Sequence, residues 1–282
     1  MRHGVGAREK EVKKSHSEAS QRNFGPVTAI ALGMIRYGNP YIVTTFTMTQ
    51  SSSSPNGKPE PDTTNYRFDE AFDFFLSEFG EPHDRVPIPE SVIDAYRDRL
   101  PEQLFVYWRA LGACGFHDGL LWMVNPDDYR DLLDMWLDGS PFGKRKDLSV
   151  IARNAFGYLY VWGKGKGKVI TINPNLNIVY YNPEIDNNNL SSKEEELEIK
   201  CFWAFSNVKF LDETDGSGKP LFARALKKLG PIGSDEMYGY KHRLALGGKE
   251  SLGNLDIVKL GVYHHIAQQM GAVMEPIQVI TI

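Results

Sequence analysis

Residues Met237 to Ser251 read MYGYKHRLALGGKES, and their glycines and lysines are the residue types of a loop that cradles phosphate. Such a loop needs G-x-x-x-x-G-K-[ST] between a strand and a helix, so that backbone N–H groups converge on phosphate and a hydroxyl reaches magnesium. With Gly248-Lys249 as the G-K pair, Arg243 stands where the first glycine belongs, and Glu250 stands where the hydroxyl belongs. The motif therefore fails twice. Gly163 to Lys168, GKGKGK, also misses the spacing and lies between two strand-like runs, so it reads as a basic hairpin turn. Asp215 to Lys219, DGSGK, reads as a turn before a helix.

Other chemistry is equally sparse. His264 and His265 are adjacent, so on a helix they point about 100° apart and do not share an ion; they read as packing histidines. His117-Asp118 could orient an imidazole, but Cys114 is the only nucleophile near it in sequence, and GFHDG reads more simply as a turn. There is no G-x-S-x-G elbow, no H-E-x-x-H and no zinc spacing, so no metal or cofactor is expected. Cys114 and Cys201 sit among apolar residues, as buried reduced thiols do. Carboxylates are plentiful, which leaves a paired-carboxylate hydrolase open as a class.

The carboxylates are unevenly spread. Net charge over the 282 residues is −4, yet residues 68–138 hold 5 basic and 16 acidic side chains, a local net of −11. Asp127, Asp131, Asp134 and Asp138 recur at i, i+4, i+7 and i+11 and line one side of an expected helix Asp127–Asp138. Its apolar side carries Tyr129, Leu132, Leu133, Trp136 and Leu137. A row of carboxylates resembles a phosphate track in charge and would steer a cationic protein toward it. The same charge repels nucleic acid, so direct nucleic-acid binding is disfavoured. The five tryptophans, Trp108, Trp122, Trp136, Trp162 and Trp203, fall mostly on apolar stripes, as core residues do.

The elements that must hold these residues can be read from periodicity. Phe68, Phe72, Phe75, Leu76 and Phe79 mark a first helix ended by Gly80 and Pro82. A second helix is expected from Ser91, capped by its own hydroxyl, and a third from Pro101 with Leu104, Tyr107, Trp108 and Leu111 inward. Residues 119–124, GLLWMV, have strand length. Residues 139–146, GSPFGKRK, have linker composition. A meander follows at 157–162, 168–173 and 177–181, then helices at 194–205, 220–229 and about 255–270, the last with Asn254 as cap. The tail EPIQVITI has the composition of an edge strand. Val27 to Phe46 is interrupted by Arg36 and Asn39-Pro40 and makes a poor membrane span. Met48 opens a Ser/Pro-rich run that cannot order itself, so residues 1–47 are expected to be a non-native or disordered extension and 48–66 a disordered segment.

Two longer stretches resemble known families. "FGEPHDRVPIPESVIDAYRDRLPEQLFVYWRALG" with "DGLLWMVNPDDYRDLLDMWL" resembles the GAD-like domain. "IARNAFGYLYVWG", "LFARALKKLGPIGSDEMYGYKHRLALGG" and the closing helix resemble the C-terminal domain of the type VI secretion DNase-immunity family, although Lys241-His242 departs from the shorter, proline-containing step of that pattern. The order of elements reads as an α+β fold in two parts, which the resemblance assigns to a mainly helical GAD-like domain over 67–140 and a mixed domain with an antiparallel meander over 147–282. The resemblance also implies a cytoplasmic, non-enzymatic immunity protein whose partner is a basic nuclease toxin. On the charge pattern, Asp127, Asp131, Asp134 and Asp138 would face that partner; Trp162 and Tyr240 are candidate aromatic anchors, with core packing as the stronger alternative. The alternatives are a regulatory or tRNA-associated module, since GAD domains also occur in tRNA-handling enzymes, and the carboxylate hydrolase.

Overall fold

The computed structural model describes residues 34–35, 42–43, 68–183, 187 and 189–276. The expectations for residues 1–66 thus fall almost wholly outside the described residues; there, β1 (Met34–Ile35) pairs antiparallel with β2 (Ile42–Val43). The rest is built on one eight-stranded sheet. Its strands are β3 (His83–Val86), β4 (Ala113–Phe116), β5 (Leu121–Met123), β6 (Leu148–Asn154), β7 (Leu159–Gly163), β8 (Gly167–Asn173), β9 (Ile178–Tyr181) and β12 (Val273–Pro276). The spatial order is β12-β9-β8-β7-β6-β5-β4-β3. All neighbours are antiparallel except β12, which runs parallel to β9 at the edge. A separate ribbon pairs β10 (Glu236–Tyr240) with β11 (Leu255–Lys259).

Helices cover both faces of the sheet. On one face lie α1 (Glu70–Phe79), α2 (Glu90–Tyr96), α3 (Glu102–Leu111), α5 (Ser192–Ala204), α6 (Val208–Leu211) and α7 (Phe222–Leu229). On the other lie α4 (Arg130–Leu137) and α8 (Leu260–Gln269). Strand alternation feeds the two cores: along β7, Tyr160 and Trp162 enter the first, whereas Leu159 and Val161 enter the second. A sheet buried on both faces reads as continuous apolar runs. Every residue of β5, β6 and β7 is accordingly buried.

The fold is mixed α/β: residues 67–140 contribute β3, β4 and β5 to the large sheet, and the expectation of a mainly helical N-terminal domain is corrected. β3 and β4 are short and β6 lacks alternation, so their periodicity was weak in the sequence. The sheet also runs across residues 139–146, which form turns. Phe142 from that stretch is buried against Tyr181, with ring centroids 5.1 Å apart. Two helix starts are corrected as well. Pro89, not Ser91, occupies the N-cap of α2. Residues 255–259 form β11 rather than the first turns of a helix, because they pair with β10. Asn254 does not cap α8; its side chain accepts from His242 N at 2.8 Å and donates to the carbonyls of His242 and Lys249.

Aromatic packing ties the ends of the described chain together. Trp203 of α5 meets Phe72 and Phe75 of α1 and Phe116 of β4, with ring centroids 5.8, 5.3 and 6.1 Å away. Edge and tilted arrangements of this kind add roughly 0.5–1.5 kcal/mol per pair beyond burial. Glu196, also of α5, accepts from the N–H groups of Glu102 and Gln103 at 2.8 Å each. It supplies α3 with the cap that Pro101 cannot provide.

Candidate partner-binding surface

The four aspartates singled out in the sequence lie at and around α4. Asn125 starts the segment by accepting from Asp127 N at 3.1 Å, Pro126–Tyr129 form one tight helical turn, and α4 continues from it. Leu132, Leu133 and Trp136 turn inward. Asp127, Asp131 and Asp138 are exposed, whereas Asp134 is half-buried and lies 4.0 Å from Arg130 and 3.9 Å from Lys146. Asp127 also accepts from the Tyr96 hydroxyl at 2.8 Å. Asp131 and Asp138 have no hydrogen bond or ion pair from their side chains among the described residues. The expected single helix Asp127–Asp138 is thus a tight turn followed by α4 with Asp138 beyond its end; three of the four aspartates are exposed, and the charge without an internal partner sits on Asp131 and Asp138. Trp162 and Tyr240 are core residues, 0% and 1% exposed, and offer a partner no surface. Their place in the interdigitated core explains this.

Elsewhere in the acidic segment, charge is answered internally. Arg97 reaches Glu90, Asp94 and Glu102, and Arg109 reaches Glu90 and Glu102. Pairs this exposed contribute little stability, but they remove those carboxylates from the outward field.

Beside the start of α4 a cleft of about 380 Å³ opens between the β3 edge of the sheet, the Pro126–Tyr129 turn and the first turn of α8. Val86, Ile88, Met123, Leu132 and Leu260 supply apolar wall. Three carboxylates line it: Asp84, Asp128 and Asp235. Asp84 lies 3.2 Å from His83 Nδ1, and Asp235 is 2.7 Å from Lys259 Nζ. Asp128 has no side-chain partner among the described residues; desolvation, and then Asp127, push its carboxyl above the usual range. At the base is Arg153, 0% exposed. Its guanidinium lies 4.5 Å from the centre of the Trp122 ring and donates to the carbonyls of Asn154, Gly233 and Ser234 at 3.3, 3.0 and 2.9 Å. Its Nε meets no acceptor within hydrogen-bonding geometry. Arg153 and Asp84 were not singled out by sequence reasoning. The signal for Arg153 was a lone charge inside the apolar run LSVIARNAF; for Asp84 there was none.

The remaining motifs resolve as architecture. His264 is fully buried: Trp136 Nε1 donates to its Nδ1 at 2.9 Å and its Nε2 lies 2.9 Å from Gly157 O. Burial holds it neutral, with its pKa lowered to about 3. His117 and Asp118 form a turn with φ of 49° and 53°. Burial pushes the Cys114 thiol up to about 12 and Cys201 up to about 11, which leaves neither a ready nucleophile. The opening stretch, 237–251, is a strand followed by a chain reversal. A Cβ on Gly248 would lie 1.9 Å from His242 O, so only glycine fits there.

Comparison with known proteins follows this geometry closely. Residues 70–176 match the GAD-like domain, a span ending just beyond β8. Residues 198–271 match the T6SS immunity protein Tdi1, C-terminal, from within α5 past the end of α8. Two family models thus match successive parts of the chain, the GAD-like domain first and the Tdi1 C-terminal domain after it. Among solved structures it is similar to Atu4351 from Agrobacterium tumefaciens, with a TM-score of 0.64 and 23% identity over 73% of this chain and 92% of that one. At that identity the likeness concerns the fold alone. A comparison with curated proteins gives no match. Among the described residues, no helix is long and apolar enough to cross a membrane.

Proposed function

We propose that the chain is an immunity protein that binds a secreted DNase toxin and neutralises it by covering or distorting the toxin's basic, DNA-binding surface, with no catalysis of its own. The observation that carries this reading is the match of residues 198–271 to the C-terminal domain of a type VI secretion immunity protein. The outward carboxylates Asp127, Asp131 and Asp138 support it, because they give a cationic enzyme a surface that competes with DNA for the same charge. The cleft carboxylates speak less well for a hydrolase: two of the three are already engaged, by His83 and by Lys259.

The test asks whether the gene beside this one encodes a nuclease, whether that nuclease co-purifies with this chain, and whether DNA degradation stops when the two are mixed. Wild-type protein is expected to stop cleavage. Asp131→Lys with Asp138→Lys is expected to slow association by about tenfold at low salt, with the difference shrinking as salt screens the charges. Full protection by the charge-reversed variant, at an unchanged association rate, would remove the electrostatic mechanism.

A further inference from the structure

Resting on that reading, we infer that the cleft beside α4 is the anchor pocket for a basic segment of the toxin: an arginine or lysine side chain enters it and pairs with Asp128, while a carbonyl of the same segment accepts from Arg153 Nε. Three independent features converge on such an occupant. Asp128 is a carboxylate with no side-chain partner, at the mouth of a cleft whose other two acids, Asp84 and Asp235, are held by neighbours. The wall between is apolar and suits the methylene stem of a long basic side chain. Val86, 56% exposed, continues that wall to the surface. Arg153 is fully buried with the Tyr129 hydroxyl against its guanidinium, yet its Nε has no acceptor in hydrogen-bonding geometry. A buried donor left unmade costs about 1–3 kcal/mol, so an incoming oxygen would recover part of that loss.

Arg153 is itself a cation, and it bears on which charge the cleft prefers. Its charge is spread over three backbone carbonyls and the Trp122 face at the base, whereas Asp84, Asp128 and Asp235 line the walls, with Asp127 next to Asp128 in the chain. The other titratable groups paired there are Lys259 at Asp235 and Glu236, His83 at Asp84, and Tyr129 at Arg153. The carboxylates outnumber the cations, so a free anion is repelled before it reaches Arg153. A peptide carries both requirements at once: a positive side chain for the walls and a neutral carbonyl for the base. The volume of about 380 Å³ admits one such side chain with its flanking backbone. The pocket lies at the N-terminal end of the aspartate row, so one partner can engage both.

Gly261 gives a clean way to close the cleft. It lines the cleft on α8, and a Cβ placed there meets no atom within 4 Å. Gly261→Trp should therefore fill the space without disturbing the fold. The full chain is titrated at low salt with capped Leu-Arg-Leu and capped Leu-Glu-Leu peptides and followed by amide NMR. The arginine peptide is expected to shift the amides of Asp128, Ser234 and Gly261. Asp128→Asn should weaken that binding by about tenfold, or ~1.4 kcal/mol, and Gly261→Trp should abolish it. Binding of the glutamate peptide at these amides instead, or arginine-peptide shifts confined to other surfaces, overturns the proposal. The second arm takes a nuclease that co-purifies with the full chain and measures its affinity for wild type and Gly261→Trp. A loss of tenfold or more supports the pocket. Equal affinity overturns the pocket and leaves the immunity reading standing. If wild type binds no such nuclease, the immunity reading falls, and the peptide titration still decides the cleft.

Discussion

At the scale of single residues, the chain's most informative group is a histidine that cannot ionise where it sits. His264 is locked between the Trp136 indole and the Gly157 carbonyl, and burial lowers its pKa to about 3 from an ordinary 6.5. The unfolded chain then binds more protons than the folded one between those values, so this group's contribution is fully present above about pH 6.5 and is lost progressively as pH falls toward 3. Glu198 and Asp212, raised by burial to about 7 and about 6, act in the opposite sense, so only a comparison isolates the histidine. His264→Gln is expected to lower stability at pH 7. It should also reduce the stability lost between pH 7 and pH 5 by about 2 kcal/mol relative to wild type. Urea unfolding at the two pH values measures this, and equal losses in the two proteins would contradict it.

Elements meet at a few polar points as well as through their apolar faces. α3 begins at a proline with no capping side chain, and its first two N–H groups are taken by Glu196 from a helix nearly a hundred residues later. Glu196→Ala should therefore behave as the loss of a helix cap and cost roughly 1–2 kcal/mol. Chemical denaturation measures that cost; a change within a few tenths of a kcal/mol would show that water replaces the carboxylate without loss. This contact was invisible in the sequence, because nothing in the spacing of α5 marks Glu196 apart from its acidic neighbours. By contrast, α1, α3 and the C-terminal part of α4 were legible from apolar periodicity, α5 and α7 were placed to within a few residues, and the β7–β9 meander was legible from its apolar runs and turn residues. β3, β4 and β10 were not, because each is short and lacks the alternation of a half-exposed strand.

On the scale of the whole molecule, the sheet is the unit of stability. β3 to β5 and β6 to β9 share one hydrogen-bonded ladder across residues 139–146, and helices from both ends of the described chain close over it. Unfolding of the full chain is expected to be a single transition, with far-ultraviolet circular dichroism and tryptophan fluorescence coinciding. Two separated transitions would mean that the regions before and after those turns fold independently.

The sequence by itself determined the acidic segment, the α4 face with its aspartate row, the failure of every phosphate and metal motif, and the two family resemblances. These are local or compositional properties: period, spacing and charge survive without knowledge of what packs where. The tertiary structure decided which aspartates remain free, that Trp162 and Tyr240 are core, and that Arg153, Asp84 and Asp128 meet around one cleft. Burial and pairing depend on neighbours distant in sequence. Trp122 beneath Arg153 and Ser234 beside it come together only because β5 and β6 pair and the β10–β11 ribbon docks over them.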